Sequence, residues 1–293
     1  MFASLIEWLQ AIGHRRIQLL RHLQDNEPDS ITASTLFPVT GIIYVPLRSA
    51  ADTLASRLRK SNINCQSYHA GLELSARTTI QTTFTTPPIP PLEEALTLKG
   101  TFNIIAATTA FGMGIDAPHV RFVAHYGLPR ALEQFIQESG RAGRDGKAAS
   151  SILFYTREER DRVTFRVAAD AAREASRHHH HRGHGPQQPP PSSTQSSSIT
   201  AKSESLQAVI DYCENTKMCR HEIIAAYFGD EGGHRCDFAC DYCKEGGVAL
   251  KRRKERGLAS EEVVFEFSQR AARRGEASQF VEEGDPYDYW SQR

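Results

Sequence analysis

The chain has 293 residues, a formal net charge of zero and 40% apolar side chains, enough for one or two domains with a core and some unfolded sequence besides. The balanced charge excludes a protein that holds nucleic acid by bulk electrostatics, so any such affinity must come from local basic patches. There is no apolar run of about 18 residues to span a membrane, and the start MFASLIEWLQ lacks the basic flank and cleavage site of a secretory signal.

Residues 1–25 have the spacing of an amphipathic helix, with Leu5, Ile6, Leu9, Ile12, Ile17, Leu19, Leu20 and Leu23 as its apolar members, and the polar run 25–30 breaks it. A buried strand follows at 41–46, a helix at 50–60, a short strand at 64–68 and a helix at 75–84. The stretch 85–99, TTPPIPPLEEALTLK, is prolines at its start and reads as an inserted surface loop. Strands are predicted again at 103–107, 120–126 and 151–155, with a helix over 131–139. Strands alternating with helices predict an α/β fold, a parallel sheet covered on both faces with its functional loops at the carboxyl ends of the strands. Residues 156–177 are charged and helix-prone. The run His178–His181 and the Pro/Ser-rich stretch after it read as a polar linker, although clustered histidines can also hold metal. Ordered pattern returns at Ser203. The basic run 251–256 opens a charged tail, either a patch that binds phosphate or import machinery or a solvated helix face.

Six cysteines are spread unevenly, Cys65 alone and five between 213 and 243. Clustering in a chain without a secretory signal favours a metal over disulfides. Cys219-x16-Cys236-x3-Cys240-x2-Cys243 supplies four thiolates of the kind that hold zinc tetrahedrally. His221 and His234 are possible substitutes, and Cys213 falls outside the quartet as a buried thiol. Upstream, Gln137-Glu138-Ser139-Gly140-Arg141-Ala142-Gly143-Arg144-Asp145-Gly146 sets two arginines three apart among three glycines. Glycine permits tight turns, and the planar guanidinium fork suits phosphate oxygens. A surface turn, with Arg141 paired to Glu138 or Asp145, would account for the same residues. Elsewhere, Gly146-Lys147-Ala148 lacks the Ser/Thr of a phosphate loop, and His221-Glu222-Ile223-Ile224-Ala225 lacks the second histidine of a zinc-protease helix.

Three blocks in order, Tyr68-His69-Ala70-Gly71-Leu72, Ala110-Phe111-Gly112-Met113-Gly114-Ile115-Asp116 and the 137–146 string, closely resemble the second motor domain of RecQ-type superfamily 2 DNA helicases. The resemblance covers roughly 36–167 and resumes over 203–244, through Asp211-Tyr212-Cys213-Glu214-Asn215 and Ala226-Tyr227-Phe228-Gly229. It implies a RecA-like domain at 36–175 after a helical segment at 1–35, a disordered linker at 176–202, a helical zinc-binding domain at 203–246 and a flexible tail at 247–293. By that resemblance Arg144 is the arginine finger, Arg141 a second phosphate or coupling contact, and Gln137 lies near the γ-phosphate or its attacking water. Asp116 and Gly114 belong to the nucleotide side, Asp116 equally readable as a turn cap. Thr108 and Gly112 resemble the segment that grips the DNA backbone, with His69 and Arg48 as further candidates. His69 is as readily a loop hydrogen-bonding residue, and Thr108 a strand-end one. The structural metal is Zn²⁺ on Cys219, Cys236, Cys240 and Cys243. ATP and Mg²⁺ would be held only together with a first motor lobe, whose phosphate loop and acidic box do not occur in these 293 residues. Two functions are implied. One is part of an ATP-dependent 3′-to-5′ DNA helicase of the nucleus, inactive alone; the other is a non-catalytic DNA- or protein-binding module derived from one.

Overall fold

The computed structural model describes residues 1–112, 116–180, 193–230, 236 and 239–256. They fall into two compact units, residues 1–128 with 133–154, and residues 129–132 with those from 155 onward.

The first unit is built on β1 (Val39–Tyr44), β2 (Cys65–Tyr68), β3 (Phe102–Ala107), β4 (Val120–Tyr126) and β5 (Ser150–Phe154). All neighbours pair in parallel, in the order β2-β3-β1-β4-β5. β1 is central and buried from Thr40 to Tyr44, as its uninterrupted apolar run requires of a strand covered on both faces. Side chains alternate across it. Ile43, Ile104, Ala106, Phe122 and Ala124 pack on one face beneath α1 (Phe2–Asn26) and α3 (Arg48–Lys60), which contribute Leu5, Leu9, Ala51, Leu54 and Leu58. Ile42, Tyr44, Ile105, Ala107 and Val123 form the other face with Phe111 and with Phe84 of α4 (Leu74–Thr85). On that same face Phe135 of α7 (Leu132–Ser139) meets the ring of His125 at 4.9 Å between centroids. The predicted parallel sheet with helices on both faces is therefore present.

α1 is buried along Leu5, Leu9, Gly13, Ile17 and Leu20, a stripe of one residue per turn. Trp8 extends the contact, edge-on to Phe122 at 5.1 Å and to Phe154 at 6.3 Å. After α1, the short α2 (Ala33–Leu36) is held by a reciprocal capping box between Thr32 and Thr35, and Arg16 donates to the carbonyls of Thr35 and Phe37. The stretch 85–99 is more ordered than a surface loop. Pro91 opens α5 (Leu92–Ala95), and Thr97 caps α6 (Leu98–Thr101) by accepting from the Gly100 amide at 3.1 Å. Ala95, Gly100 and Thr101 are buried there. Proline bars the helix interior but suits a helix start, which is where Pro91 stands.

The second unit is helical: α8 (Arg157–His180), α9 (Ser193–Glu214), α10 (Arg220–Phe228) and α11 (Asp241–Arg256), the last kinked at Gly246. Regular structure thus enters the sequence expected as linker from both sides. Residues 181–192 and the tail beyond 256 lie outside the described residues. Within this unit Glu214 accepts from Tyr155 Oη at 2.5 Å and from Arg160 at 2.8 Å, closing the start of α8 on the end of α9. Among the described residues no helix is long and apolar enough to cross a membrane.

Leu9 is fully buried between the sheet and its own helix. Leu9→Ala is expected to lower unfolding stability by about 2–5 kcal/mol in urea titrations, as cavity-forming core truncations do.

Candidate functional site

The carboxyl ends of β1, β2 and β3 are stitched together by backbone hydrogen bonds. The Val45 amide donates to the Ala107 carbonyl at 2.8 Å, and the Thr108 amide to the Tyr68 carbonyl at 3.2 Å. Arg48, Thr108 and His69 stand directly beyond these ends. Arg48 is exposed and Thr108 half-buried. His69 is buried, with Nε2 on Asp52 Oδ2 at 3.0 Å and Nδ1 accepting from the Gly71 amide at 3.2 Å. Both ring nitrogens are thus engaged within the protein, one on Asp52 of α3 and the other on the Gly71 amide. Arg48 and His69 both crowd Gly71, where an added Cβ would lie 3.4 Å from the guanidinium and 3.2 Å from the imidazole.

The arginine loop follows α7. Glu138, on that helix, is buried and takes both its partners from within the unit, His125 Nε2 at 2.8 Å and Gln134 Nε2 at 3.1 Å. It is therefore not a partner of Arg141. Asp145 is not one either. Arg121 holds it at 2.7 Å, and this guanidinium, followed in effect by the Lys147 amide, keeps the Asp145 carboxyl below the usual carboxylate range. Arg121 also donates to the carbonyls of Pro118 and Ala148, clamping the loop to the start of β4. The Gly143 amide donates to the Val120 carbonyl at 2.9 Å. Gly143 and Gly146 turn the chain through positive φ, 70° and 73°, a conformation open to glycine at little cost.

Arg141 is half-buried, and its Nη1 donates to the Gly112 carbonyl at 2.6 Å. The guanidinium lies so close to Gly112 that a Cβ there would sit 2.4 Å from Nη2 and 2.6 Å from Cζ. Tyr44, whose hydroxyl donates to the neighbouring Phe111 carbonyl at 2.9 Å, is raised far above the usual phenol range by burial, with Arg141 partly offsetting. Arg144 and Gln137 are exposed beside this anchored residue, and Asp116 is exposed too. A cavity lined by Ile42, Phe111, Ala117, Val120, Arg141 and Arg144 brings the two arginines together. Gly114 lies outside the described residues. The loop after β3, which carries Thr108 and Gly112, is thus joined directly to the arginine loop.

In the helical unit, the sulfurs of Cys219, Cys236, Cys240 and Cys243 all lie within 4.8 Å of one another, and Cys219 and Cys240 are 3.7 Å apart. Four thiolates about 2.3 Å from a tetrahedral zinc would be about 3.8 Å apart, so the set fits that ion. The Cys240 amide donates to Cys236 Sγ at 3.3 Å and the Cys243 amide to Cys240 Sγ at 3.4 Å. Burial opposes the Cys240 thiolate, but backbone donors from Arg220 and Cys243 and the neighbouring thiols outweigh it and bring Cys240 down to about 6. Arg220 braces the cluster with bonds of 2.9 and 3.1 Å to Asp241 and a third to the Tyr212 carbonyl. Cys213 stands outside the group and is half-buried rather than buried, its thiol pushed up to about 12 by desolvation. His234 lies outside the described residues.

Residues 30–146 match the helicase conserved C-terminal domain, and residues 167–244 match the RecQ zinc-binding domain. The chain belongs to the RecQ helicase family. It is 35% identical over 212 residues to ATP-dependent DNA helicase Q5 of Mus musculus, covering 72% of this chain and 18% of that protein. Against ATP-dependent DNA helicase RecQ of Pasteurella multocida the identity is 34% over 205 residues, covering 70% and 26%. Against ATP-dependent DNA helicase hus2/rqh1 of Schizosaccharomyces pombe it is 34% over 218 residues, covering 73% and 14%. The chain thus spans about a quarter or less of the length of each of these RecQ relatives.

Three residues that position the RecQ arginine loop were not singled out from sequence: Tyr44, Arg121 and His125. Their partners lie well along the chain, 67 residues away for Tyr44 and Phe111 and 24 for Arg121 and Asp145, so no local spacing marks them. Glu138 sits in the resemblance string itself, but its burial is invisible there.

The contact between Arg141 and Gly112 can be tested by a double-mutant cycle. Gly112→Ala is expected to destabilise the chain by about 1–3 kcal/mol, through overpacking against the guanidinium. In an Arg141→Ala background the same change should cost much less, leaving a coupling of about 0.5–3 kcal/mol in denaturant unfolding. Additive costs would separate the two residues.

Proposed function

We propose that this chain supplies the arginine side of an ATP site and part of the DNA-backbone track of a RecQ-type 3′-to-5′ DNA helicase, with the cysteine cluster as a structural zinc platform. The observation that carries this reading is the anchored Arg141 with the exposed Arg144 beside it, on a loop joined to the segment carrying Thr108 and Gly112. Phosphoryl transfer spreads negative charge over the equatorial oxygens of the transferred group, and a positioned guanidinium stabilises it there. Arg144 is the residue proposed to reach that group, and Arg141 supports the loop and lines the same cavity. Gln137, one helical turn earlier, is proposed to face the attacking water, and Asp116 and Gly114 the nucleotide. The Thr108 hydroxyl and the Gly112 amide, with Arg48, would hold a DNA strand by its phosphates without reading sequence, and His69, whose ring nitrogens are both taken, would shape the turn beside them. Magnesium and the triphosphate would be held by a lobe bearing a phosphate loop. Residence in the nucleus follows from the proposed substrate alone.

The decisive experiment mixes this chain with a RecQ lobe that carries a phosphate loop and measures DNA-stimulated ATP turnover. Turnover should appear in the mixture and fall about 10³–10⁵-fold with Arg144→Ala. Turnover that survives that substitution would remove the finger role. DNA binding without turnover would favour the non-catalytic module.

The cysteine cluster should hold one zinc per chain. Zinc thiolates contribute roughly 10–16 kcal/mol of apparent binding energy in small modules, so a strong chelator should unfold the helical unit and leave the sheet intact in hydrogen-exchange measurements. Because protons compete for the thiolates, zinc should be released as pH falls, not as it rises.

A further inference from the structure

The ring of His221 lies against the proposed zinc ligands but outside their shell. Nδ1 is 3.2 Å from Cys236 Sγ and 3.9 Å from Cys219 Sγ. Among the described residues the four sulfurs form the mutually close set, and this nitrogen is not a member of it. Cys219 caps α10, and Cys240 and Cys243 stand at the head of α11, whereas Cys236 belongs to no helix or strand. Its sulfur accepts from the Cys240 amide at 3.3 Å. His221, by contrast, is the second residue of α10, next to the Arg220 that is bolted to Asp241.

We propose that His221 is a positioning residue for the metal, its Nδ1–H donating a hydrogen bond to the Cys236 thiolate. This rests on the zinc reading of the cluster. Four thiolates around one Zn²⁺ leave two surplus negative charges, and a donor placed on one sulfur draws off part of that charge while fixing the direction of its lone pairs. Donors outside the ligand shell commonly act in this way. The ring adds a second donor to the Cys236 sulfur, which also accepts from the Cys240 amide, so its loss should loosen the metal without changing the number of ligands.

The test compares the full chain with His221→Ala and His221→Asn, using zinc competition against a chromophoric chelator and Co²⁺ substitution. All three proteins are expected to bind one metal. Zinc affinity should fall about 10–100-fold in His221→Ala, the usual cost of losing such a donor. Asn carries an amide N–H close to the position of Nδ1 and should restore most of it. With Co²⁺, the thiolate-to-metal charge-transfer band of His221→Ala should move to lower energy, while the ligand-field bands remain those of a four-sulfur site. Affinity and charge-transfer energy indistinguishable from wild type would overturn the proposal and leave the zinc site standing. A wild-type ligand-field spectrum of three sulfurs and one nitrogen would overturn it by making His221 a ligand. A wild-type chain that takes up no zinc would overturn both this proposal and the zinc reading beneath it.

Discussion

The bond from Arg141 to the Gly112 carbonyl ties together segments 29 residues apart. A charged donor at 2.6 Å makes a strong hydrogen bond, and its shape demands a residue without a side chain opposite. Around it Tyr44 secures the Phe111 carbonyl, Glu138 is taken by His125 and Gln134, and Asp145 is taken by Arg121. Glu138 and Asp145 thus place their hydrogen bonds elsewhere, and among the described residues neither is bonded to Arg141. Its Nε is buried and has no hydrogen-bond partner, a condition that ordinarily costs about 1–3 kcal/mol.

The two units solve the problem of rigidity differently. The sheet unit buries both faces of a central strand and can position loops from its own core. The helical unit buries Val163, Leu206, Val209, Ile210, Ala225 and Leu250 between its helices. Ionic bracing between Arg220 and Asp241, amide donors to sulfur and the proposed metal add to that packing around the four thiols.

Much of the fold was legible in the spacing of apolar residues. The strands Ile42–Tyr44, Asn103–Ala107 and Val120–Tyr126 are runs that only a sheet covered on both sides would bury. The cysteine spacing likewise announced a cluster, and the four sulfurs converge. What was not legible depends on contacts remote in the chain. Glu138 looks like one more solvated charge in QESGRAGRDG, yet it is buried against His125 on the central sheet. Arg121, inside a strand, gave no sign that it would clamp the loop of Asp145. The proline-rich stretch misled in the other direction, because proline forbids helix interiors but not helix starts, and Pro91 begins one.

The short helices α5 and α6 and the first helix fit one another. A side-chain carbon on Gly13 would lie 2.6 Å from Leu98, the first residue of α6, and 3.1 Å from the Phe102 ring at the start of β3. Anyone trimming this protein to its conserved motifs would therefore strip a wall from the lobe. Removing the first 35 residues would bare the greasy underside of the central strands, and deleting the proline-rich excursion would leave that opening helix without its seat. The shortest autonomous version of the sheet unit must keep both.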